Sequence, residues 1–297
     1  MPLSSFGAGR GFGVLLMHEK LMTEGGLGLP LLQSQVIPAE FRHGFTTRRG
    51  GVSVPPFESL NLGGRWGDGP MNIAENQRRL AVAACGGPIF FATQVHGRDS
   101  VRVAAGDAVA AVGAVRADAV ITADSGVTVG AYVADCVPVL IADVRSGACA
   151  AVHAGWRGTV AGVVTATLQR MASELGTRMS DVRVAIGPSI GPCCFEVGPE
   201  VVAAVEQAFP NARAAGAIDD SRARSHVDLW LLNRLAARAV GVPDEAIDVS
   251  GDCTACQPDR FFSYRRDRGT TGKVGKVGLH AAFIGGGRAH EPRNTTP

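Results

Sequence analysis

The chain has 297 residues, of which 46% are hydrophobic, and its formal net charge is +2. This near balance, with arginines scattered along the chain, argues against a nucleic-acid partner, which requires a concentrated basic surface. No apolar run is long enough for a membrane span. The seven cysteines do not have the spacing of a disulfide framework, and the N-terminal sequence does not have the pattern of a signal peptide. We therefore expect a cytoplasmic protein, either a monomer or a small homo-oligomer.

The two ends of the chain differ from its middle. Residues 1–32 are rich in glycine and serine without a sustained period, so we predict a disordered extension or leader there. Residues 285–297 contain three glycines and two prolines, and they predict a flexible tail. Glycines and apolar residues are spread over the remainder, which indicates one catalytic domain over residues 33–284.

The first motif in chain order is Arg48-Arg49-Gly50-Gly51. Guanidinium groups match phosphate oxygens, and glycines let backbone N–H groups approach an anion closely. Arg48 and Arg49 are therefore candidate phosphate-binding residues. A solvated turn accounts equally well for these four residues taken alone.

The middle of the chain predicts a run of strands, then a mixture of helices and strands, which is typical of an α+β fold. Short β-branched runs bounded by Gly, Asp or Pro predict strands at residues 101–103, 119–122, 127–134, 137–143, 149–153 and 182–186. Apolar stripes, an N-terminal proline and C-terminal glycines predict helices at residues 159–175, 199–209 and 229–240.

Three potential metal ligands lie near these strands. His96 belongs to a His-Gly pair, Cys136 lies between two apolar strands, and His153 ends a third. Two imidazoles and one thiolate suit zinc, and three protein ligands leave a fourth position open, as in catalytic sites. Each residue alone is more often part of a core, but the ends of adjacent strands meet in a common mouth.

The residues around this trio have less specific patterns. Trp156 and Arg157 immediately precede the helix of residues 159–175, where backbone N–H groups can face an anion, although Trp156 fits a core position equally well. Asp135 is a candidate support for a metal-bound imidazole, but an aspartate that simply closes a strand is the stronger interpretation; Asp118 also lies near a strand end.

The remaining cysteines predict packing rather than a second metal site. Cys253 and Cys256 form a lone CxxC pair, without a second pair for structural zinc and without a thioredoxin-like context. The adjacent Cys193 and Cys194 are predicted to be buried thiols.

Seven ordered motifs carry a resemblance to a known family. They are FTTRRGGVS at 45–53, SLNLG at 59–63, TQVHG at 93–97, ADC at 134–136, HAGWRG at 153–158, IGPSIG at 186–191 and FFSYRRD at 261–267. Together they make the chain similar to the laccase-domain family of multicopper polyphenol oxidases, also called the peptidoglycan editing factor family, whose members are described as zinc-dependent purine nucleoside phosphorylases.

The resemblance implies a layered α/β/β/α sandwich with mixed sheets. It also implies that His96, Cys136 and His153 hold Zn²⁺, and that Cys136, His153 and Arg48 take part in catalysis. The implied reaction is phosphorolysis of adenosine, inosine and related nucleosides, so that the partners are a nucleoside and phosphate. Similar family members are also described as deaminating adenosine, for which zinc would activate water.

Three alternatives remain at this point. Cys136 as nucleophile and His153 as base would make a cysteine hydrolase, which suits the editing of peptidoglycan precursors. A copper polyphenol oxidase is less compatible, because seven histidines with only two near the cysteine do not readily house several copper ions. A non-enzymatic, metal-binding regulator is the third.

Overall fold

The computed structural model describes residues 17–22, 28–84, 87–270 and 276–287. The strands are β1 (His18–Met22), β2 (Leu29–Gln33), β3 (His43–Thr46), β4 (Ile89–Phe90), β5 (Ser100–Val103), β6 (Ala119–Thr122), β7 (Thr128–Val133), β8 (Val137–Asp143), β9 (Cys149–Ala154), β10 (Val182–Ile186), β11 (Ile218–Asp219), β12 (His226–Val227), β13 (Ile247–Val249) and β14 (His280–Gly285). The α-helices are α1 (Pro70–Ala84), α2 (Val109–Ala114), α3 (Trp156–Ala161), α4 (Val163–Leu175), α5 (Pro199–Ala208), α6 (Leu229–Ala239) and α7 (Tyr264–Thr270). Short 3-10 helices cover Met179–Asp181 and Asp244–Ala246.

Two large sheets dominate the fold. The first sheet has the order β1-β2-β3-β14-β7-β4, and the second sheet has the order β13-β10-β8-β9-β6-β5. Both sheets are mixed, because β4 runs parallel to β7 in the first sheet and β5 and β13 run parallel to their neighbours in the second. Strands β11 and β12 form a small separate pair.

Three apolar cores separate four layers. Leu31, Leu80 and Phe283 belong to a core in which α1 packs on the first sheet. A second core lies between the two sheets, and a third joins the second sheet to α4, α5 and α6. The predicted α+β class and the α/β/β/α layering in a single domain are therefore confirmed.

Strand β8 explains why its sequence is an unbroken apolar run. All seven of its residues are buried. Val139 and Ile141 belong to the core with the helices, whereas Leu140 and Ala142 belong to the core between the sheets. A strand that is covered on both faces reads as continuously hydrophobic rather than alternating. The six predicted strands agree with observed strands to within one residue at each end.

Two predictions about the ends of the domain need correction. The disordered extension over residues 1–32 is wrong for its described part, because β1 and β2 pair in the first sheet and Leu29 and Leu31 are buried. The remaining residues of that segment lie outside the described ranges. The tail predicted over residues 285–297 is wrong at its start, because Gly285 ends β14 and Gly286 bridges to Ser125. Residues 288–297 lie outside the described part.

The helix predicted over residues 159–175 is two helices. Gly162 has a φ of 81°, a left-handed conformation that ends α3 and precedes α4. Glycine adopts this conformation without the steric cost that a Cβ atom imposes. The helices predicted at 199–209 and 229–240 correspond to α5 and α6. Within the described ranges, no helix combines the length and apolar character that crossing a bilayer requires.

Candidate metal centre

His96, Cys136 and His153 come together at one end of the second sheet. Cys136 immediately precedes β8, and His153 lies in β9 opposite Pro138. His96 reaches the same place from the loop between β4 and β5, with a left-handed backbone at φ 61°. The sequence-predicted trio is thus a spatial cluster, built from two adjacent strands and one loop.

The donor atoms of the trio are close enough to share one ion. All three lie within 4.8 Å of one another, and Cys136 Sγ is 3.9 Å from His96 Nε2. The two imidazole rings are nearly perpendicular, with centroids 4.8 Å apart. Two nitrogens and one sulfur at such separations match the donor set of a zinc site with an open coordination position.

Gly155 gives the cluster its space. A Cβ atom at this position would lie 3.0 Å from Cys136 Sγ and 3.0 Å from His96 Cδ2. Both contacts are tighter than ordinary van der Waals packing, so a side chain here would push two of the three donors aside. The first glycine in HAGWRG is therefore a space requirement of the metal centre.

Asp118 holds two of the three donors in place. Its buried carboxylate accepts a hydrogen bond from His153 Nδ1 at 2.8 Å and from the backbone N–H groups of His96 and Gly97 at 2.9 and 2.7 Å. Burial alone raises the pKa of Asp118, but the hydrogen bonds from His153 and Gly97 outweigh it and lower the pKa. An ionised Asp118 keeps the Nδ1 proton on His153, so its Nε2 lone pair is available to a metal.

Cys136 and His153 form a strongly coupled pair. Burial raises the pKa of the Cys136 thiol, but the charge and hydrogen bonds of His153, with a hydrogen bond from His96, lower it to about 6. Burial lowers the pKa of His153, but the Cys136 thiolate and the Asp118 hydrogen bond raise it to about 9. Each of the two groups therefore favours the charged form of the other, and a metal that binds the pair would take the place of a proton.

The three side chains of the trio differ in their exposure to solvent. His153 is buried, Cys136 is half-buried and His96 is exposed. The protein therefore approaches the centre from the side of the second sheet and leaves the side of His96 nearer to solvent.

Asp135 supports the neighbouring loop rather than an imidazole. Its carboxylate accepts hydrogen bonds from Thr254 Oγ1 at 2.6 Å, Ser263 Oγ at 3.0 Å and the backbone N–H of Arg265 at 2.6 Å. Burial is the largest influence on this carboxyl and raises its pKa. The interpretation of Asp135 as a support for a metal-bound histidine is wrong, and Asp118 has that position instead.

The predicted phosphate-binding residues lie in two separate groups. Arg48 donates to the carbonyls of Glu58 and Pro258 and stacks on Phe262, with its guanidinium carbon 4.6 Å from the ring centroid. Arg49 donates to the carbonyl of Asp259. These arginines fasten the loop around residues 258–260.

The second group begins α3. Trp156 is the first residue of the helix and packs partly against the core with the helices. The guanidinium carbon of Arg157 lies 4.2 Å from the Trp156 ring centroid, and the Arg157 side chain is exposed. Because α3 follows His153 by two residues, this pair is close in sequence to the metal centre. Its role toward phosphate remains a prediction.

The cysteines predicted as buried thiols and as a lone CxxC form one cluster. The sulfur atoms of Cys193, Cys194, Cys253 and Cys256 lie within 4.8 Å of one another. Cys193 and Cys256 are exposed, Cys194 is half-buried, and only Cys253 of the four is buried. Two expectations, burial of Cys193 and Cys194 and the absence of a second pair beside the CxxC, are therefore wrong.

Sequence reasoning missed the roles of Asp118 and Gly155. Asp118 precedes a strand, as many aspartates do, and nothing in its own pattern distinguishes it. Its proximity to His153 follows from the pairing of β6 with β9, in which Ala119 lies opposite Val152. The position of Gly155 between a candidate ligand and a helix start was the available indication of a close approach.

Comparisons with known proteins identify the family of the chain. The family model described as multi-copper polyphenol oxidoreductase laccase matches residues 42–279. The chain is 38% identical over 251 residues to the purine nucleoside phosphorylase YlmD of Geobacillus stearothermophilus, covering 82% of this chain and 89% of the relative. It is 40% identical over 255 residues to a purine nucleoside phosphorylase of Deinococcus radiodurans, covering 84% and 92% respectively.

Solved structures are similar to the whole fold. A crystal structure of the Bacillus licheniformis hypothetical protein YfiH aligns with a TM-score of 0.78 at 31% identity, covering 88% of this chain and 97% of that one. The crystal structure of YlmD from Geobacillus stearothermophilus aligns with a TM-score of 0.77 at 36% identity, covering 87% and 96%.

Proposed function

The chain belongs to the multi-copper polyphenol oxidoreductase laccase family, and from that premise we propose that it is a zinc-dependent purine nucleoside phosphorylase. Relatives that are 38% and 40% identical over most of their length bear the name purine nucleoside phosphorylase. The fold is shared with one of these relatives over nearly its whole chain. Membership of the family supports an enzyme rather than a passive metal-binding regulator.

The observation that carries the proposal is the cluster of His96, Cys136 and His153 with Asp118 behind it. A zinc ion bound there would supply a Lewis acid at an open coordination position. Asp118 keeps the proton of His153 on Nδ1, and Gly155 leaves the room that the donors need. The exposed side of His96 gives a nucleoside a route to the centre.

Phosphorolysis exchanges two bonds at the anomeric carbon of the ribose. An oxygen of phosphate forms a bond to this carbon while the N-glycosidic bond breaks, and the electron pair leaves with the purine, which takes up a proton. Positive groups near the phosphate would hold it against the anomeric carbon, and groups that donate to the purine would stabilise the negative charge that develops on it. In deamination of adenosine, a second activity of the same proposal, water would add to the purine ring and ammonia would leave, so no phosphate is needed.

Arg48, Arg49, Trp156 and Arg157 are our candidates for contacts with phosphate and nucleoside. Arg157 has the strongest support, because its side chain is exposed and it lies in the first turn of α3, four residues after His153. Arg48 has weaker support, because two of its guanidinium nitrogens already donate to carbonyls. We therefore propose Arg48 first as a clamp on the loop at 258–260 and only through that loop as a contributor to catalysis.

A cysteine hydrolase is a second candidate, and one observation favours it. The Cys136 thiol, whose pKa is lowered to about 6, would be the nucleophile. His153 would be the base, and the Asp118 carboxylate would orient His153. This series would cleave an amide of a peptidoglycan precursor without metal. A zinc-bound thiolate is a poor free nucleophile, so metal separates the two candidates.

Copper oxidation of phenols has less support from the described residues. Their groups of three or more close metal ligands are the trio, with two histidines, and the four-cysteine cluster, with none. Multicopper sites bind several ions through many histidines. We therefore do not extend the copper in the family description to this chain.

The decisive experiment measures zinc content and base release on the same preparation. Wild type and Cys136→Ala would be assayed with inosine and adenosine, with and without phosphate. We expect zinc in wild type and base release that depends on phosphate, and we expect both the trio's zinc and the activity to be lost in Cys136→Ala.

The matched control is Cys149→Ala. Cys149 is a buried thiol in β9, paired with Ala142 at the far end of β8, which is roughly 20 Å along the strand from Cys136. This variant should keep both zinc and activity. A protein that contains no zinc and releases no base with or without phosphate would refute the phosphorylase and leave amide hydrolysis at Cys136 as the alternative.

A further inference from the structure

The four-cysteine cluster lies outside the candidate active centre and has no role in the proposed reaction. Cys193 and Cys194 lie on the loop after β10, and Cys253 and Cys256 lie on the loop after β13. Strands β10 and β13 are parallel neighbours, so both loops leave the second sheet at the carboxyl ends of these strands, side by side. Topology therefore brings together two cysteine pairs that are far apart in sequence.

Hydrogen bonds that involve backbone atoms hold the two loops against each other. Thr254 N donates to the Ser189 carbonyl at 3.0 Å, and Ser189 and Cys253 form an isolated bridge. Gly191 N donates to Cys253 Sγ at 3.2 Å. Such N–H donation to sulfur stabilises a thiolate, which is the form that binds metals. The cluster is thus a built arrangement of two loops rather than an accidental approach of exposed side chains.

The sulfur separations suit one tetrahedral ion. Cys256 Sγ lies 3.5 Å from Cys193 Sγ and 3.3 Å from Cys194 Sγ, and all four sulfurs lie within 4.8 Å of one another. Four thiolates at the usual zinc–sulfur distance have sulfur–sulfur separations of about 3.8 Å. The observed range brackets this value, so small side-chain movements bring all four sulfurs to a common centre.

We propose that Cys193, Cys194, Cys253 and Cys256 bind a second zinc ion, which is structural and fixes the two loops to each other. Four thiolates leave no open coordination position, which is the arrangement of structural rather than catalytic zinc. A set of sulfur donors alone also selects zinc over harder divalent ions such as magnesium or manganese.

Positive groups surround the charge that such a site would carry. Zinc with four thiolates has a net charge of −2, which is costly unless cations lie nearby. Arg222 donates to the Cys193 carbonyl at 3.0 Å, and Arg265 donates to the Cys194 carbonyl at 3.1 Å. These guanidinium groups, from two further segments of the chain, lie beside the ligands and offset that charge.

The proposed site would act on the candidate active centre through Asp135. Thr254, between Cys253 and Cys256, donates to Asp135 Oδ1, and Ile190, on the other loop, donates its N–H to the Asp135 carbonyl at 3.0 Å. Asp135 directly precedes Cys136. Fixing the two loops therefore fixes the backbone that presents the thiolate of the trio.

The test counts metal in the full chain, purified under reducing conditions, by elemental mass spectrometry. We expect wild type to contain one zinc ion more than Cys136→Ala and one more than Cys253→Ser/Cys256→Ser, and we expect Cys149→Ala to match wild type. Because each centre is removed by its own variant, failure of the second site and failure of the proposed function are distinguishable.

Cobalt substitution keeps the test decisive if the double variant does not fold. The thiolate-to-cobalt absorption of Cys136→Ala should have the intensity of a four-thiolate site, and wild type should exceed it by the single thiolate of the trio. A single-thiolate spectrum in wild type would overturn the proposal. A disulfide between two of the four cysteines, found by mass spectrometry in reductively purified protein without a second zinc, would overturn it in favour of a redox pair.

Discussion

The trio of His96, Cys136 and His153 and the four-cysteine cluster lie close in the fold but are positioned by different means. Two members of the trio are fixed by adjacent strands, and Asp118, at the start of a third strand, orients them. The four cysteines lie on loops that follow β10 and β13. Sheet pairing positions Cys136 and His153, and hydrogen bonds from the His96 loop to Asp118 add the third donor, whereas the second group depends on contacts between loops alone.

The difference also concerns composition and exposure. The trio mixes nitrogen and sulfur donors and opens toward His96, while the cluster has sulfur alone. A mixed, three-donor group on a rigid sheet suits chemistry, because catalytic groups must be held accurately and still admit a substrate. An all-thiol group on loops suits the fastening of those loops.

Asp118→Asn should have the largest effect among the tests of this contrast, and it should fall on the trio alone. The substitution removes the charge that fixes the His153 tautomer, and we expect zinc affinity at the trio to fall by about 10–100-fold. Competition titration with a zinc chelator measures it. The matched control is Asp143→Asn, a buried carboxylate at the other end of β8 that bonds the turn at Arg145 and Ser146. Equal losses in both variants would contradict the special position of Asp118.

Acidification should destabilise the fold through His280, a buried histidine in β14. His280 Nε2 accepts a hydrogen bond from the Phe262 N–H at 2.7 Å. This bond anchors the segment between Cys256 and Ser263, which donates to Asp135. Burial is the main cause that lowers the pKa of His280 to about 3. The unfolded chain therefore binds a proton near pH 6.5 that the folded chain refuses, so stability is lost as pH falls below that value.

Urea unfolding at pH 7 and pH 5 measures this effect. Between these values, we expect wild type to lose about 2 kcal/mol more of its unfolding free energy than His280→Gln, whose amide does not titrate. The comparison between the two proteins removes the contributions of other histidines. Identical pH dependence in the two proteins would show that His280 is not the group responsible.

Gly155→Ala tests whether the trio needs its space. The added methyl group lies 3.0 Å from two donor side chains, so we expect about a tenfold loss of zinc affinity at the trio and little change at the four-cysteine cluster. Gly64→Ala is the control, because a Cβ atom there meets nothing within 4 Å. Metal titration with unchanged affinity in Gly155→Ala would mean that the donors can shift without cost.

Thr254→Val should have the smallest effect and tests the link between the two groups. It removes the hydroxyl that bonds Asp135 while preserving the shape of the side chain, and we expect a loss of about 1 kcal/mol in unfolding free energy. Thr167→Val is the control, because its hydroxyl bonds only within α4. A lowered rate of base release in Thr254→Val but not in Thr167→Val would establish that Asp135 transmits the order of the loops to Cys136.

Local sequence patterns predicted what depends on local physics. Strand β8 was predicted to the residue, because burial on both faces requires an unbroken apolar run. The trio was predicted from its donor chemistry, since two histidines and a cysteine near strand ends suit zinc. The placement of these donors within 4.8 Å agrees with that prediction.

What depends on distant pairing was not predictable. The chain breaks between α3 and α4 because Gly162 has a left-handed rather than a helical backbone conformation. Glycine adopts both conformations readily, and tertiary packing determines which one occurs. Asp118 supports His153 only because β6 pairs with β9 in the folded chain. In the sequence, the four cysteines are a CxxC and a distant vicinal pair, and only the parallel pairing of β10 with β13 brings them together.

The pairing of β8 with β9 also restricts how this sequence can change over evolutionary time. Pro138 opposite His153 sets the approach of Cys136 and His153, and the same register sorts Val139 and Leu140 onto opposite faces of the sheet. A one-residue insertion or deletion within either strand would turn every following side chain to the wrong face. Loss of the ligands and loss of the core would then be a single event, so length variation among descendants of this chain should be confined to segments outside these strands.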